Sequence, residues 1–425
     1  MNMEELMEKI KEFFTAIDSK GVVYYYIGEQ CINKLNNLQN PHDKVESTTF
    51  KLVMHTNEKT IKDIIDSYEI EDGDIVIKLK DGDIIITLCE EQDLTDVITK
   101  SKFTANSILR NKNGDFIDYK YTYRNKKISS IDDVNNKLIR MIGNAKQHIK
   151  DDPNLILEAF HLMAKYNFNI EEKTLNVIKD SLELLYKIDD AKLAKYINRI
   201  LLSRYAKESI ICMNKIGLMN LDINIFKILS GISEDENILN LIDLYNNNLS
   251  VKTKLYPIEV WAIISLSFKE EELESKLSSI SMFDDKEISK IEWLISNWNI
   301  LECDNYKVAL YNSRKGIVKE YGLMCLRELV IRLCKIHNSL DVNNKTKTDK
   351  LLIDLCSRPY FNNQLHITDA QLMEMSGEDS MELINKIKDR LIYKFVIADC
   401  FPREMEVYLY LTKEAIEEVV FESMI

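Results

Sequence analysis

The stretch that decides the fold of the first part of the chain reads Tyr25-Tyr26-Ile27-Gly28-Glu29-Gln30-Cys31-Ile32-Asn33. β-Branched and aromatic residues over Val22–Ile27 predict a strand. Gly28 then supplies a turn, and a helix is expected from about Glu29. A strand that passes through a glycine turn directly into a helix predicts a domain that mixes strands and helices.

Further strands are expected on both sides of this turn. The patterns predict strands over Phe50–Met54, Ile75–Lys80, Asp83–Leu88 and Phe116–Tyr123. The dipeptides Asp81-Gly82 and Asn113-Gly114 favour turns, since such turns need positive φ. Helices are expected over residues 4–18 and 58–68, and a further helix from Ser130, with Asp133 three residues on in capping-box spacing.

Apolar residues then recur at three- and four-residue spacing to the end of the chain. They predict helices at about 133–149, 153–166, 172–187, 189–205 and 206–216, followed by a helical run to about 338. The polar stretch Asn343–Asp349 is expected to be a linker. The predicted fold class is therefore α+β: a small mixed α/β domain over 1–128, then helical domains over 129–220, 221–340 and 341–425.

Composition narrows the class of protein. The eight cysteines show no C-x-x-C and no paired spacing, which argues against zinc and against disulfides and favours reduced thiols in the cytoplasm. No apolar run approaches the roughly 20 residues that span a bilayer, and the start of the chain lacks the pattern of a signal peptide. We therefore expect a cytoplasmic protein without a membrane partner.

The net charge of −13 is unevenly distributed along the chain. Residues 101–210 carry 20 basic and 14 acidic side chains, a net of +6, whereas each of the segments 1–100, 211–330 and 331–425 is acidic. Such asymmetry is compatible with a surface for a polyanion, and equally with scattered charges on solvated helices. Charge by itself leaves both interpretations open.

The order of these segments resembles the bacterial CCA-adding enzyme and poly(A) polymerase family, the tRNA nucleotidyltransferases. Residues 25–33 are similar to the family's strand and glycine turn, and Asn113-Gly114-Asp115-Phe116-Ile117-Asp118 follows the family's next turn and strand closely. Residues 151–168 resemble the neck helix, and residues 364–373 with 400–404 resemble the tail of the Bacillus and Clostridium type. The resemblance implies a nucleotidyltransferase-like head followed by an all-helical neck, body and tail.

The chain departs from the family where nucleotide transfer needs metal ions. The two positions of the family's metal-binding carboxylates are Thr49 and Lys51, and the position of a further acid is Ile85. Transfer chemistry needs hard cations held by clustered carboxylates, which a lysine ammonium would repel. The resemblance thus predicts no catalytic residues, no metal site and no cofactor, with magnesium expected only if the chain is active after all.

Nucleotide-binding positions are reduced to remnants, which are Gly28, Asn106 and Asp152. The family's second turn glycine is Glu29, whose carboxylate would repel a phosphate. The arginines with which the family reads the base are replaced by Leu155, Glu158 and His161. Neither leucine nor glutamate can offer the planar fork with which arginine pairs to a base edge or a phosphate.

One basic helix is the positive signal for RNA. Lys192, Lys195 and Arg199 are three and four residues apart, so they share one helix face. In the family this segment faces the tRNA acceptor end, so we predict RNA-binding roles for these three residues. The remaining basic excess lies at Lys126, Lys127, Lys137, Arg140, Lys146 and Lys150.

We therefore expect a catalytically degenerate relative of the tRNA nucleotidyltransferases that binds tRNA or another structured RNA, and not DNA, through neck and tail. A second interpretation is a protein-interaction module without RNA binding, which docks a protein partner. A third is an active CCA or poly(A) nucleotidyltransferase with rearranged metal ligands from Asp72, Asp74 or Asp83. The sequence alone leaves the three open.

Overall fold

The computed structural model describes residues 3–39, 50–64, 68–71, 74–79, 82–89, 98, 101–118, 120–123, 126–247, 255–314, 322–398 and 405–424. The chain forms two compact units. The first comprises residues 1–189 and 211–221, and the second comprises residues 190–210 and 222–425. Within the described ranges, no helix is both long and apolar enough to cross a bilayer.

A seven-stranded sheet organises the first unit, with strand order β3-β4-β5-β2-β1-β6-β7. Strand β2 runs antiparallel to β1 and parallel to β5. A separate hairpin pairs β8 with β9. The strands are β1 (Val23–Ile27), β2 (Phe50–His55), β3 (Glu69–Glu71), β4 (Asp74–Leu79), β5 (Gly82–Cys89), β6 (Leu109–Asn111), β7 (Phe116–Ile117), β8 (Lys120–Tyr123) and β9 (Lys126–Ser129).

Apolar side chains of this sheet form two clusters, because Leu52 and Met54 of β2 lie on one face and Val53 lies on the other. Helix α1 (Met3–Ser19) contributes Phe13 and Ile17 to a core that includes Leu52 and Met54 of β2. Helix α3 is short, Glu58–Lys62, so the predicted helix over 58–68 is confirmed only in its first residues. Helix α2 (Glu29–Gln39) begins directly after β1, as the sequence predicts.

The segment between sheet and neck is broken where a continuous helix was predicted over 133–149. Helix α4 (Ser130–Asn135) begins at a Ser129 cap and ends before Lys137, whose φ is 54°. A short strand β10 (Leu138–Ile139) follows and pairs in parallel with β11 (Asn169–Ile170). Helix α5 (Ala145–Asp151) starts only after Gly143, whose φ is 71°. The helical periodicity is real, but these two left-handed residues interrupt it.

The remaining helices follow the predicted order closely. In chain order they are α6 (Asn154–Tyr166), α7 (Glu172–Lys179), α8 (Asp190–Leu201), α9 (Ala206–Lys215), α10 (Asn224–Ser233), α11 (Glu236–Asn247), α12 (Pro257–Ser265), α13 (Glu270–Ser278), α14 (Asp285–Ser296), α15 (Tyr306–Ser313), α16 (Gly322–Leu340), α17 (Lys345–Ser357), α18 (Asp369–Ser376), α19 (Met381–Ile397) and α20 (Met405–Met424).

The predicted linker over Asn343–Asp349 is wrong. Helix α17 begins at Lys345, inside that stretch. Thr348 is completely buried, and its hydroxyl lies 3.0 Å from Oδ1 of Asn338 on α16. Polar composition misled the prediction because one buried threonine anchors an otherwise exposed helix turn.

A buried carboxylate ties together three helices of the second unit. Glu259 on α12 is 1% exposed and accepts hydrogen bonds from Arg332 (3.1 Å) and Lys335 (2.6 Å) on α16. The Tyr245 hydroxyl of α11 donates a third. Burial, and next the charge of Glu259, raise the pKa of Tyr245, so that this hydroxyl stays protonated and remains a donor. The network is fully paired, as a buried charge requires.

We predict that Glu259→Gln lowers the free energy of unfolding by about 3–5 kcal/mol, because it removes the carboxylate that Lys335 pairs with and leaves Arg332 with Glu328 alone. Urea denaturation measures the free energy of unfolding of the parent and the variant. The control Glu271→Gln, at an exposed position on α13, should change the same quantity by less than about 0.5 kcal/mol. Equal effects of the two substitutions would contradict the structural role of the network.

Candidate functional site

The turn between β1 and α2 contains a backbone conformation that glycine adopts readily. Gly28 has a φ of 73°, in the left-handed region that other residues rarely adopt. Its carbonyl accepts hydrogen bonds from the backbone N–H of Cys31 (2.9 Å) and Ile32 (3.2 Å), which closes the first turn of α2. The predicted remnant Gly28 therefore shapes the turn.

Lys51 lies directly against this turn. A Cβ atom at Gly28 would sit 3.9 Å from Cδ of Lys51. Neighbouring Leu52 points into the core with 0% exposure, whereas Lys51 is exposed, as strand alternation requires. Ile85 is the register partner of Lys51 on the parallel strand β5. Lys51 thus places an ammonium group, and Ile85 an alkyl side chain, at adjacent positions of the two strands. Thr49 lies outside the described residues.

Glu29, the residue after the turn glycine, is held by a lysine from the neck. Its carboxylate oxygen Oε2 lies 2.7 Å from Nζ of Lys165 on α6, and the two side chains are 25% and 19% exposed. The ammonium compensates the carboxylate that stands where the family has a second glycine. Sequence reasoning missed this pair, because 136 positions separate the partners and no local pattern connects them.

The remnant Asn106 and the residues that follow the glycine turn lie in the packed interior of the head. Asn106 is half-buried in a short 3₁₀ helix (Thr104–Ser107), and its N–H donates to the carbonyl of Phe103. Ile32 is completely buried, and Asn33 is 6% exposed, with its Oδ1 atom lacking a hydrogen-bond partner. The positions that follow the turn now serve mainly the packing of α2.

Asp152 caps helix α6. Its Oδ1 atom accepts hydrogen bonds from the backbone N–H (3.1 Å) and the side-chain amide (2.7 Å) of Asn154. Of the three positions where the family carries arginine, Leu155 and His161 are buried, and Glu158 lies 3.9 Å from His161. These side chains pack and pair locally, so the helix offers no guanidinium at these positions.

Of the carboxylates suggested as alternative metal ligands, only Asp74 can be placed with its side chain. Its Oδ1 atom accepts a hydrogen bond of 2.8 Å from the Thr87 hydroxyl on β5. Asp72 and the side chain of Asp83 lie outside the described residues. Within the described part of the chain, no three His, Cys, Asp or Glu side chains lie together as metal ligands would.

The predicted RNA-facing residues lie on α8. Lys192 and Lys195 are exposed, and the Arg199 guanidinium stacks 5.3 Å from the ring centroid of Tyr196. Residues 190–210, which belong to the second compact unit, carry five basic and two acidic side chains. The three residues do share one helix face, as their spacing predicts.

Arg140 does not belong to the exposed basic excess. Its guanidinium bonds Asp133 through Nε (2.9 Å) and Nη2 (3.2 Å), and Glu171 through Nη1 (2.6 Å). The side chain is only 21% exposed. The expectation that it contributes to a polyanion surface is therefore corrected, since two carboxylates already neutralise it.

Comparison with known proteins places these features in a family context. Residues 167–221 match the family model described as "Probable RNA and SrmB- binding site of polymerase A". The CCA-adding enzyme of Staphylococcus haemolyticus is 21% identical over 406 residues, which is 90% of each chain. Streptococcal CCA-adding enzymes match over about half of their length, 54%.

Solved structures agree over almost the whole chain. The CCA-adding enzyme of Bacillus stearothermophilus in complex with CTP superposes with a TM-score of 0.68 at 14% identity, covering 98% of this chain and 99% of that one. The Thermotoga maritima CCA-adding enzyme complexed with tRNA gives 0.53 at 16% identity, covering 99% and 96%.

The predicted resemblance to the CCA-adding enzymes is confirmed. The α+β fold class, with a small mixed head followed by helices, is confirmed by the same superposition. The division into 1–128, 129–220, 221–340 and 341–425 remains a prediction. The two compact units of this CCA-adding enzyme-like chain separate residues 190–210 from the rest of the predicted neck.

The Glu29–Lys165 pair generates a prediction about stability. In a double-mutant cycle with Glu29→Gln and Lys165→Met, we expect a coupling free energy of about 1–3 kcal/mol, because both groups are largely buried and hydrogen-bonded. Urea denaturation of the four proteins measures this coupling.

The exposed pair Lys112–Asp18, whose charged atoms are 3.0 Å apart, serves as the matched control. Lys112→Met and Asp18→Asn should couple by less than about 1 kcal/mol. A coupling for Glu29 and Lys165 no larger than this control would show that the turn is not held by the neck lysine.

Proposed function

We propose that the chain is a catalytically degenerate relative of the tRNA nucleotidyltransferases, which binds tRNA or another structured RNA without adding nucleotides to it. The observation that carries the proposal is the contrast between its two candidate sites. At the glycine turn stand Lys51 and the Glu29–Lys165 ion pair, whereas the basic face of α8 lies within the segment 167–221 that matches the RNA-binding family model.

Lys51 and Glu29 are the reason for proposing that nucleotide transfer is lost. A magnesium ion needs carboxylate oxygens, and the family positions carry Lys51 beside Ile85, which do not fit a divalent cation. The carboxylate of Glu29 stands at the turn that cradles phosphate in the family, and Lys165 already neutralises its charge. Lys51 thus opposes the metal ion by its charge, and the paired Glu29 side chain stands at the turn where the family places a glycine.

The basic helix supports RNA as the partner. RNA duplexes are recognised through phosphates and shape, for which exposed lysines on one helix face are suited. A solved relative, the Thermotoga maritima enzyme, was crystallised with tRNA, and the fold matches along almost the whole chain. We therefore assign RNA contact to Lys192, Lys195 and Arg199.

The last part of the tail, residues 369–425, does not fit the RNA-binding role that the family resemblance suggests for the tail. The four described basic residues of α19 are each paired with an acidic group of the tail: Lys386 with Glu382, Lys388 with Asp369, Arg390 with Glu418 and Glu422, and Lys394 with Glu414 and Glu418. Residues 369–425 carry six basic and thirteen acidic side chains, a net of −7. We therefore propose the RNA surface at α8 and not at residues 369–425.

Replacing Lys192, Lys195 and Arg199 together with glutamine should weaken RNA binding. Each phosphate contact releases slightly less than one counterion, so the loss of three contacts removes about two to three released ions. We therefore expect the magnitude of the slope of log K against log salt to fall by about 2–3. Glutamine is a good helix former, so α8 should remain folded. Fluorescence anisotropy with labelled tRNA at several salt concentrations measures both affinity and slope.

A second triple variant, Lys345→Gln, Lys347→Gln and Lys350→Gln, removes the same charge from three exposed positions of another helix, α17. It should leave the salt slope nearly unchanged. If both triple variants weaken binding equally, the effect comes from net charge and the assignment to α8 is wrong. If the parent protein shows no binding at low salt, the protein-interaction interpretation is the better one.

A further inference from the structure

The tail exposes more large apolar side chains than any comparable part of the described chain. Sixteen described residues of this kind are exposed, and nine of them lie between 342 and 421, about a fifth of the chain. Single exposed apolar residues are ordinary, but clustered ones mark interaction surfaces. Among these residues, three strongly exposed ones lie within neighbouring turns of helix α20.

We call this cluster the α20 patch: Met405, Leu409 and Tyr410, which are 66%, 42% and 61% exposed. The three residues lie within the first two turns of α20. Met405 and Leu409 are four positions apart and are neighbours on the helix surface, whereas Tyr410 lies about 100° further round the helix from Leu409. None of them is needed for the contact with α19. That contact is made on the opposite side of the helix, where Tyr408 and Ala415 pack with Leu391 and Phe395.

Acidic groups outnumber basic ones on the side of α20 that carries the α20 patch. Glu406 lies within it, and Glu417 is exposed on the same side of the helix, seven residues after Tyr410. Lys413, the one basic residue of α20, is exposed on this side too, four residues after Leu409. The Tyr410 hydroxyl donates a hydrogen bond to Glu414, which also pairs with Lys394 of α19.

From this combination we infer that the α20 patch docks a basic, amphipathic helical segment of a partner protein. Such a segment would place leucine-type side chains on Met405, Leu409 and Tyr410, and its lysines or arginines beside Glu406 and Glu417. Methionine and tyrosine suit this role because both adapt to a partner and bury a large apolar area. The inference concerns a surface separate from α8 and does not depend on RNA binding there.

Charge decides against the other occupants. A second copy of the chain would bring one acidic α20 patch against another, and like charges at close range oppose association. RNA and anionic lipid surfaces carry the same sign of charge as the patch and its surroundings. A basic segment is the partner whose charge complements the net of −7 over residues 369–425.

The experiment uses the full chain and a defined probe, a fluorescent 18-residue peptide with leucine and lysine at helical spacing. We expect saturable binding that weakens with salt, and a loss of affinity of about tenfold or more for Met405→Ser/Leu409→Ser/Tyr410→Ser. The matched control Ile331→Ser/Val342→Ser/Ile353→Ser removes three apolar residues that are 55%, 74% and 65% exposed elsewhere, and should bind like the parent.

Two further arms separate charge from apolar contact. Glu406→Gln/Glu417→Gln should weaken the peptide and reduce its salt dependence, whereas a peptide with glutamate in place of lysine should not bind. Equal affinity of the patch variant and the control variant would overturn the inference, because binding would then follow net charge alone. Sedimentation that shows a dimer of the parent, and a monomer of the patch variant, would also overturn it in favour of a second copy. Circular dichroism of each variant confirms that the helices remain folded.

Discussion

The ion pair between Glu29 and Lys165 lies where the sheet of the first unit passes into its helices. Gly28 turns the chain with a positive φ, Glu29 opens α2, and Lys165 reaches this point from α6. Because both side chains are largely buried, either charge would be costly without the other. The packing of head and neck around this turn therefore depends on a pair that stands at the place where relatives are expected to hold a phosphate.

The same turn explains how a fold can persist while its site changes. Strand alternation sends Leu52 and Met54 into the core and leaves Lys51 on the opposite face. Because Lys51 is exposed, a substitution at this position alters the chemistry without removing a core contact, whereas Val53 on the same face is buried with Ile27 and Leu109. Ile32, which follows the turn, is by contrast a completely buried core residue.

Most of the fold could be predicted from sequence because its periodicities are local. Strand β1, the turn at Gly28 and helix α6 appear where the patterns place them, and Lys192, Lys195 and Arg199 share a face. The broken helix before Gly143 and the start of α17 at Lys345 could not be predicted, because left-handed Lys137 and buried Thr348 depend on tertiary packing. The pairing of Glu29 with Lys165 and the neutralisation of Arg140 depend on residues distant in sequence, for which composition offers no signal.

Charge separates the two surfaces proposed for binding. Residues 190–210 are basic and lie within a segment matched to an RNA-binding family model, whereas the α19–α20 region pairs its own cations and keeps an acidic excess. A polyanion and a basic protein segment are therefore suited to different parts of the second unit. The two proposals can fail independently, since they rest on different residues.

The central claim, that nucleotide transfer is lost, is tested most directly by incorporation of labelled ATP and CTP into tRNA that lacks its 3′ CCA end, in the presence of magnesium. The account predicts no incorporation above a control without protein. It predicts none in Thr49→Asp/Lys51→Asp either, since Glu29 remains at the turn and Leu155, Glu158 and His161 still replace the base-reading arginines. Incorporation by the unaltered chain that a chelator abolishes would contradict the account.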